Sequence, residues 1–94
     1  MATRPVLAAM FTRTWDVKYR SLAEGDQKRC DRAVLAILRG ETSPGLRIKP
    51  IQPDKVYQEA RLNKGDRIVF RIDKGAAIFL DIVTHDEIAR YGKR

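Results

Sequence analysis

LRIKPIQ at positions 46–52, VYQEARLN at 56–63, DRIVFRID at 66–73 and AAIFLDIVTHDEIARY at 76–91 decide the fold. These four runs are rich in strand-forming residues, and short turn signals separate them. Within 66–73, Ile68, Phe70 and Ile72 alternate with Arg67, Val69 and Arg71, the period of a strand with one buried face. Within 46–51, Leu46 and Ile48 oppose Arg47 and Lys49. Within 56–63, Val56, Ala60 and Leu62 oppose Tyr57, Glu59, Arg61 and Asn63. Paired antiparallel, such strands turn one face into a core and gather Arg47, Lys49, Arg61, Arg67 and Arg71 on the other. Asn63-Lys64-Gly65-Asp66 and Asp73-Lys74-Gly75 read as the hairpin turns between them.

The residues before this block read as one strand and two helices. Residues 5–11 are apolar with little alternation, which predicts a strand buried on both faces, opened by Pro5. Thr12 or Thr14 is placed to cap a helix that begins near Trp15 and buries Trp15, Tyr19 and Leu22. Ser21 and Glu24 have capping-box spacing for a second helix, with Asp26 as an alternative cap. That helix runs to about Arg39, with Cys30, Val34, Ile37 and Leu38 as its apolar stripe and Gly40 as its stop. Ser43-Pro44-Gly45 marks a turn, and Pro50 and Pro53 bracket the end of the next strand. Residues 85–91 read as a short helix or turn. The predicted order is β-α-α-β-β-β-β, with a meander of three or four strands. This is an α+β single domain over residues 1–94. Ile68, Phe70, Ile72, Ile78, Leu80 and Ile82 are expected to face the helices, leaving the other sheet face open and basic.

Composition agrees with one small soluble domain. The chain has 94 residues, of which 19 are Lys or Arg and 12 Asp or Glu, a net charge of +7. Such a balance points to a polyanionic partner. A single cysteine, Cys30, forbids an internal disulfide and suits a reducing cytoplasm. No apolar run reaches the length of a membrane span. The opening MATRPVLAAMF is followed by Thr12, Arg13, Thr14 and Trp15 where a leader would carry small residues, so it reads as strand. There is no Cys/His cluster, P-loop or Gly-rich dinucleotide turn, so neither a metal nor a small-molecule cofactor is expected.

These elements, in this order and in so short and basic a chain, resemble the RelE/ParE superfamily of bacterial toxins. The most specific stretches are PGLRIKPI (44–51), YQEARLNKGDRIVFRID (57–73) and IFLDIVTHDEIARY (78–91). The resemblance implies a toxin neutralised by a cognate antitoxin. Its RelE branch cleaves mRNA, often in the ribosomal A site, and stops translation; its ParE branch poisons DNA gyrase. A shared fold does not choose between them. The RelE reading makes this a metal-independent endoribonuclease. The alternatives are a gyrase inhibitor or a toxin-like module without catalysis.

The resemblance also implies roles. Arg67 matches the central-strand arginine and is expected on the scissile phosphate, where a guanidinium fork binds oxygens in pairs. Arg61 shares that task. Arg47, Lys49 and Arg71 are expected on flanking phosphates. His85, the one histidine, stands where the family often places a catalytic imidazole, a group that titrates near neutral pH. Glu59 is either an alternative base or a cross-strand ion-pair partner. Tyr91 is an acid, a stacking platform or a core residue. Many members carry an aromatic about four residues after the histidine; here Ala89 stands there and Tyr91 follows two residues later. On this reading Arg67→Ala keeps the fold and loses cutting.

Overall fold

The computed structural model describes residues 7–41, 44–51 and 56–92. Within them the elements run β1 (Ala8–Phe11), α1 (Arg13–Arg20), α2 (Glu24–Leu38), a 3-10 turn (Pro44–Leu46), β2 (Lys49–Pro50), β3 (Gln58–Arg61), β4 (Asp66–Asp73), β5 (Ala76–Thr84) and α3 (Ile88–Gly92). The predicted order and class therefore hold. The strands form one sheet in the order β1-β5-β4-β3-β2. Strands β2 to β5 are an antiparallel meander, and β1 adds to β5 in parallel.

The helical hairpin packs on one face of this sheet. Trp15, Cys30, Ala33 and Ile37 from the helices meet Ala60, Leu62, Ile68, Phe70, Ala77, Phe79 and Ile82 from the strands. Phe79 is the hub of the aromatic contacts, with ring centroids 5.2 Å from Phe11, 5.3 Å from Trp15 and 6.0 Å from Phe70. Offset and tilted rings at these separations add to the burial they accompany.

Helix ends follow local chemistry. Thr12 caps α1: its Oγ1 accepts from the Trp15 N–H at 3.1 Å and donates to the Leu80 carbonyl at 2.7 Å, tying the helix start to β5. Ser21 does not open α2 as its spacing suggested. It closes α1, its hydroxyl donating to the Lys18 carbonyl at 2.7 Å, and Ala23 takes the N-cap place of α2 without a side-chain bond. Asp26 pairs with Arg29 instead of capping. At the far end Gly40, at φ 70°, lets its N–H reach the Ile37 carbonyl and that of Glu41 reach Ala36. That double bond pattern with a left-handed glycine is the Schellman stop.

Four expectations give way. Leu7 is half-buried against the core, but β1 itself is exposed, with Met10 57% and Phe11 47% accessible, because it is the sheet's edge and has only β5 beside it. Pro5 and Pro53 lie outside the described residues. The 46–51 run is a strand only at Lys49–Pro50; Leu46 ends a 3-10 turn, and Arg47 turns the chain at φ 46°. A proline on a two-residue edge strand removes no needed ladder bond.

The third correction concerns β5. Val69 lies opposite Asp81 but Phe70 opposite Phe79, so a bulge leaves Leu80 as the extra residue. The bulge moves the inward set to Ala77, Phe79 and Ile82. Leu80 packs on the opposite face, Ile78 stands opposite Arg71, and Ile72 is exposed at the end of β4. Fourth, that opposite face is not open. Ile51, Val69 and Val83 are buried there under Tyr57, Leu80, Ile88 and Tyr91. The Tyr57 and Tyr91 rings meet edge-on at 6.0 Å.

Candidate functional site

Strand register decides which expected site residues share a surface. Directly opposed residues of antiparallel strands point to the same face. One row runs Lys49, Glu59, Val69, Asp81; the next runs Arg61, Arg67, Val83. Arg61 and Arg67 are therefore cross-strand partners on the face away from the helical hairpin. Arg71 is on this face too, but four residues along β4 from Arg67, or about 13 Å at the usual strand rise. Arg47 belongs to neither row, since it lies in the turn before β2.

The turn between β3 and β4 draws the remaining parts together. Asn63 Oδ1 accepts from the N–H groups of Gly65 and Asp66 at 2.9 and 2.8 Å, which sets the turn. Arg67 Nη1 donates to the Asn63 and Asp66 carbonyls, both at 3.0 Å. The backbone N–H of His85 reaches the Gly65 carbonyl at 2.8 Å. Thus Arg67 and His85 flank one turn. The His85 side chain is 65% exposed, with Asp86 Oδ1 4.0 Å from Nδ1. Behind it, Thr84 and Glu87 form a reciprocal capping box, with N–H to Oε1 at 2.9 Å and N–H to Oγ1 at 3.2 Å. The Thr84 N–H holds the Glu87 carboxyl below its usual range.

Glu59 is 6% exposed, and its Oε1 lies 3.7 Å from Arg67 Nε. Arg67 is thus held by a carboxylate and by turn carbonyls at once. Tyr91 donates its hydroxyl to Asp81 Oδ2 at 2.6 Å, while Lys18 Nζ approaches Asp81 Oδ1 at 2.9 Å. Burial, then the bond to Asp81, push the Tyr91 hydroxyl far above its ordinary pKa. Its proton is held, and its ring covers the small second core.

Sequence reading passed over Asp81 and Lys18, and took Asn63 only as part of a hairpin turn. A lone carboxylate inside the apolar run AAIFLDIVT was the available sign for Asp81, and the Asn-x-Gly turn for Asn63. Nothing in the sequence pointed to Lys18. None of the three surface grooves includes Arg67 or His85, although one is lined by Arg61 and another by Asp66, Thr84 and Glu87. The candidate site is an open surface at one end of the sheet. Among the described residues no group of three or more His, Cys, Asp or Glu is placed to hold a metal ion. Among them no helix is long and apolar enough to cross a membrane.

A helical hairpin on a mixed five-stranded sheet, with cations at one end of the far face, defines a class of small α+β domain. No family model matches the chain, and no curated protein matches it by sequence. Solved structures do match in fold. A metal-bound toxin from Helicobacter pylori is 16% identical, with a TM-score of 0.74 over 86% of this chain and 97% of that one. The E. coli DinJ-YafQ toxin-antitoxin complex gives 13% identity and a TM-score of 0.72 over 85% and 93%. The RelB-RelE antitoxin-toxin complex from Methanococcus jannaschii gives 18% and 0.68 over 87% and 96%. The chain has the RelE-like toxin fold.

Proposed function

We propose that this chain is the toxin of a toxin-antitoxin pair and acts by cutting RNA. The observation that carries the reading is the pairing of Arg61 directly across from Arg67, at the end of the sheet where His85 leaves β5. Like charges placed opposite one another weaken a sheet, so a phosphate between them would relieve the strain. The RNA 2′-oxygen attacks the adjacent phosphorus, the 5′-oxygen leaves, and a cyclic phosphate and a 5′-hydroxyl result. Arg61 and the free edge of Arg67 stabilise the charge gathering on the phosphate. His85, exposed and with the exposed Asp86 carboxylate 4.0 Å from its Nδ1, moves a proton at the 2′-oxygen or the leaving oxygen. Glu59 and the 63–66 turn hold Arg67 in place. Lys49 and Arg71 fall on neighbouring phosphates; Arg47 is off the strand. The partner is a cognate antitoxin, and the substrate is mRNA, free or on the ribosome, in the cytoplasm.

The test adds antitoxin-free protein to an in vitro translation reaction and maps message ends by primer extension. Cut message with His85→Ala inactive is the expected result. A translation block with intact message would overturn the reading.

Arg67 and Tyr91 are both held by structural bonds, which favours a second reading, an inhibitor of a protein target such as DNA gyrase. A supercoiling assay separates the two.

A further inference from the structure

We propose that the groove between α1 and α2, beside the end of β1, binds a short aliphatic diamine. The inference is independent of the RNA reading above and concerns a surface remote from Arg67 and His85. Trp15, Asp16 and Tyr19 line the groove from α1, and Asp31, Val34 and Leu35 line it from α2. Each set falls at i, i+3 and i+4 spacings, so each shares one helix face. With Phe11 they border about 370 Å³, in the lower part of the range for small-molecule sites. At one end the Tyr19 hydroxyl donates to Asp31 Oδ1 at 2.7 Å, bridging the two helices. At the other Phe11 sits beside Trp15, ring centroids 5.8 Å apart.

The groove's charge is opposite to that of the chain. The chain has 19 Lys and Arg against 12 Asp and Glu, yet this lining holds two carboxylates and no cation. Among the described residues neither Asp16 nor Asp31 makes an ion pair, and Tyr19 engages only one oxygen of Asp31. Asp16 lies in the first turn of α1, where the helix end favours a negative charge. Asp31 stands in the middle of α2 and has no such support. Between the carboxylates the surface is aromatic and aliphatic. Phe11 is 47% exposed; Phe79 stacks on one face of its ring at 5.2 Å, which leaves the other to a ligand. Leu35 is 49% exposed. An ammonium is attracted to aromatic faces, and a methylene stem gains from lying along apolar surface. A bare metal ion would leave that surface uncovered. A neutral apolar ligand would leave the carboxylates unpaired, and a nucleic acid would meet like charge. Two ammonium groups joined by an alkyl chain satisfy both parts of the lining.

Trp15 is the chain's one tryptophan and lines the groove, so its fluorescence reports occupancy directly. The test titrates the RNA-free full chain with 1,4-diaminobutane, and separately with n-butylamine, 1,4-butanediol and magnesium chloride. The diamine is expected to change the emission saturably and to bind at least about tenfold more tightly than the monoamine. The diol and magnesium should give no saturable change. In isotope-labelled protein the diamine should shift the amides of Tyr19, Asp31, Val34 and Leu35. Asp16→Asn and Asp31→Asn, both at exposed positions, should each weaken the diamine by about fivefold or more, with the far-ultraviolet circular dichroism unchanged. The asparagine at position 31 can still accept the Tyr19 hydroxyl, so the helix pair keeps its bridge. Equal affinity for diamine and monoamine would overturn the inference. So would magnesium reproducing the response, amide shifts centred on another surface, or indifference to both Asn variants.

Discussion

The Tyr91 hydroxyl donates to one oxygen of Asp81 at 2.6 Å while Lys18 holds the other at 2.9 Å. One carboxylate at the bulge of β5 thus fastens both the first helix and the last to the sheet. The resemblance offered Tyr91 as an acid, but a phenol held by a carboxylate gives up its proton reluctantly. Tyr91→Phe should cost about 1.5 kcal/mol, the lower range for a hydrogen bond to a charged group. Amide exchange at residues 88–92 should rise further than elsewhere in the chain. If exchange there stays unchanged, the bond does not anchor α3.

Arg67 is bound from two sides, by buried Glu59 and by carbonyls of the 63–66 turn. Arg67→Ala therefore reaches beyond the phosphate. It leaves the Glu59 carboxylate buried without its partner, at a cost of about 3 kcal/mol. Adding Glu59→Gln should recover part of that loss, which urea titration of the single and double variants would show. Equal midpoints for wild type and Arg67→Ala would mean that the pair contributes nothing. Loss of cutting by Arg67→Ala is consequently weaker evidence for chemistry than the sequence alone suggested.

Element order, the two hairpin turns, the Thr12 cap and the Gly40 stop were legible because each rests on local chemistry. Thr12 needs only a helix start, and Gly40 only a left-handed φ. What was not legible depends on partners distant in sequence. The bulge at Leu80 is invisible in AAIFLDIVT, where Ile78, Leu80 and Ile82 alternate as cleanly as any strand. It shows only in the pairing with β4 and in Thr12, 68 positions away, whose hydroxyl donates to the Leu80 carbonyl. The second core under Tyr57 and Tyr91 was missed for a related reason. Val69 and Val83 fall on the face that the arginines marked as polar, and no periodicity tells a valine that something will cover it. At the site, parity alone correctly placed Lys49, Arg61, Arg67 and Arg71 on one face. Glu59 was legible as a cross-strand ion-pair partner, but that it holds Arg67, and that Asp81 holds Tyr91, depends on contacts the periodicity does not carry.

Alkaline stability should decline early. Burial first, then Asp31, push the Cys30 thiol up to about 12. The unfolded thiol titrates at about 8.5. A folded pKa raised above the unfolded one gives stability that is whole below the unfolded value and lost as pH rises through the folded value. The denaturation midpoint should therefore fall as pH climbs from about 8.5 toward 12. Tyr19, whose hydroxyl donates to Asp31 at 2.7 Å and is likewise pushed up to about 12, adds to the loss above its unfolded value of about 10. Cys30→Ala should be less stable at pH 7 yet lose less between pH 8.5 and 10. An identical slope in that window would remove the thiol from the explanation.

Arg61 separates binding from folding more cleanly than Arg67 does. It opposes Arg67 across the strand pair and has no ion pair of its own among the described residues. Arg61→Ala should leave stability unchanged or raise it by a few tenths of a kcal/mol, since a like-charge opposition is removed. RNA affinity should fall, and the slope of log affinity against log salt should become shallower by about 0.7, the increment of one phosphate contact on a single strand. Arg71→Ala, on the same face but distant along β4, should change the slope equally while leaving the rate of cutting at saturating RNA near wild type. If Arg61→Ala leaves the salt slope untouched, the arginine pair does not face the nucleic acid, and the reading of this sheet end as an RNA surface fails with it.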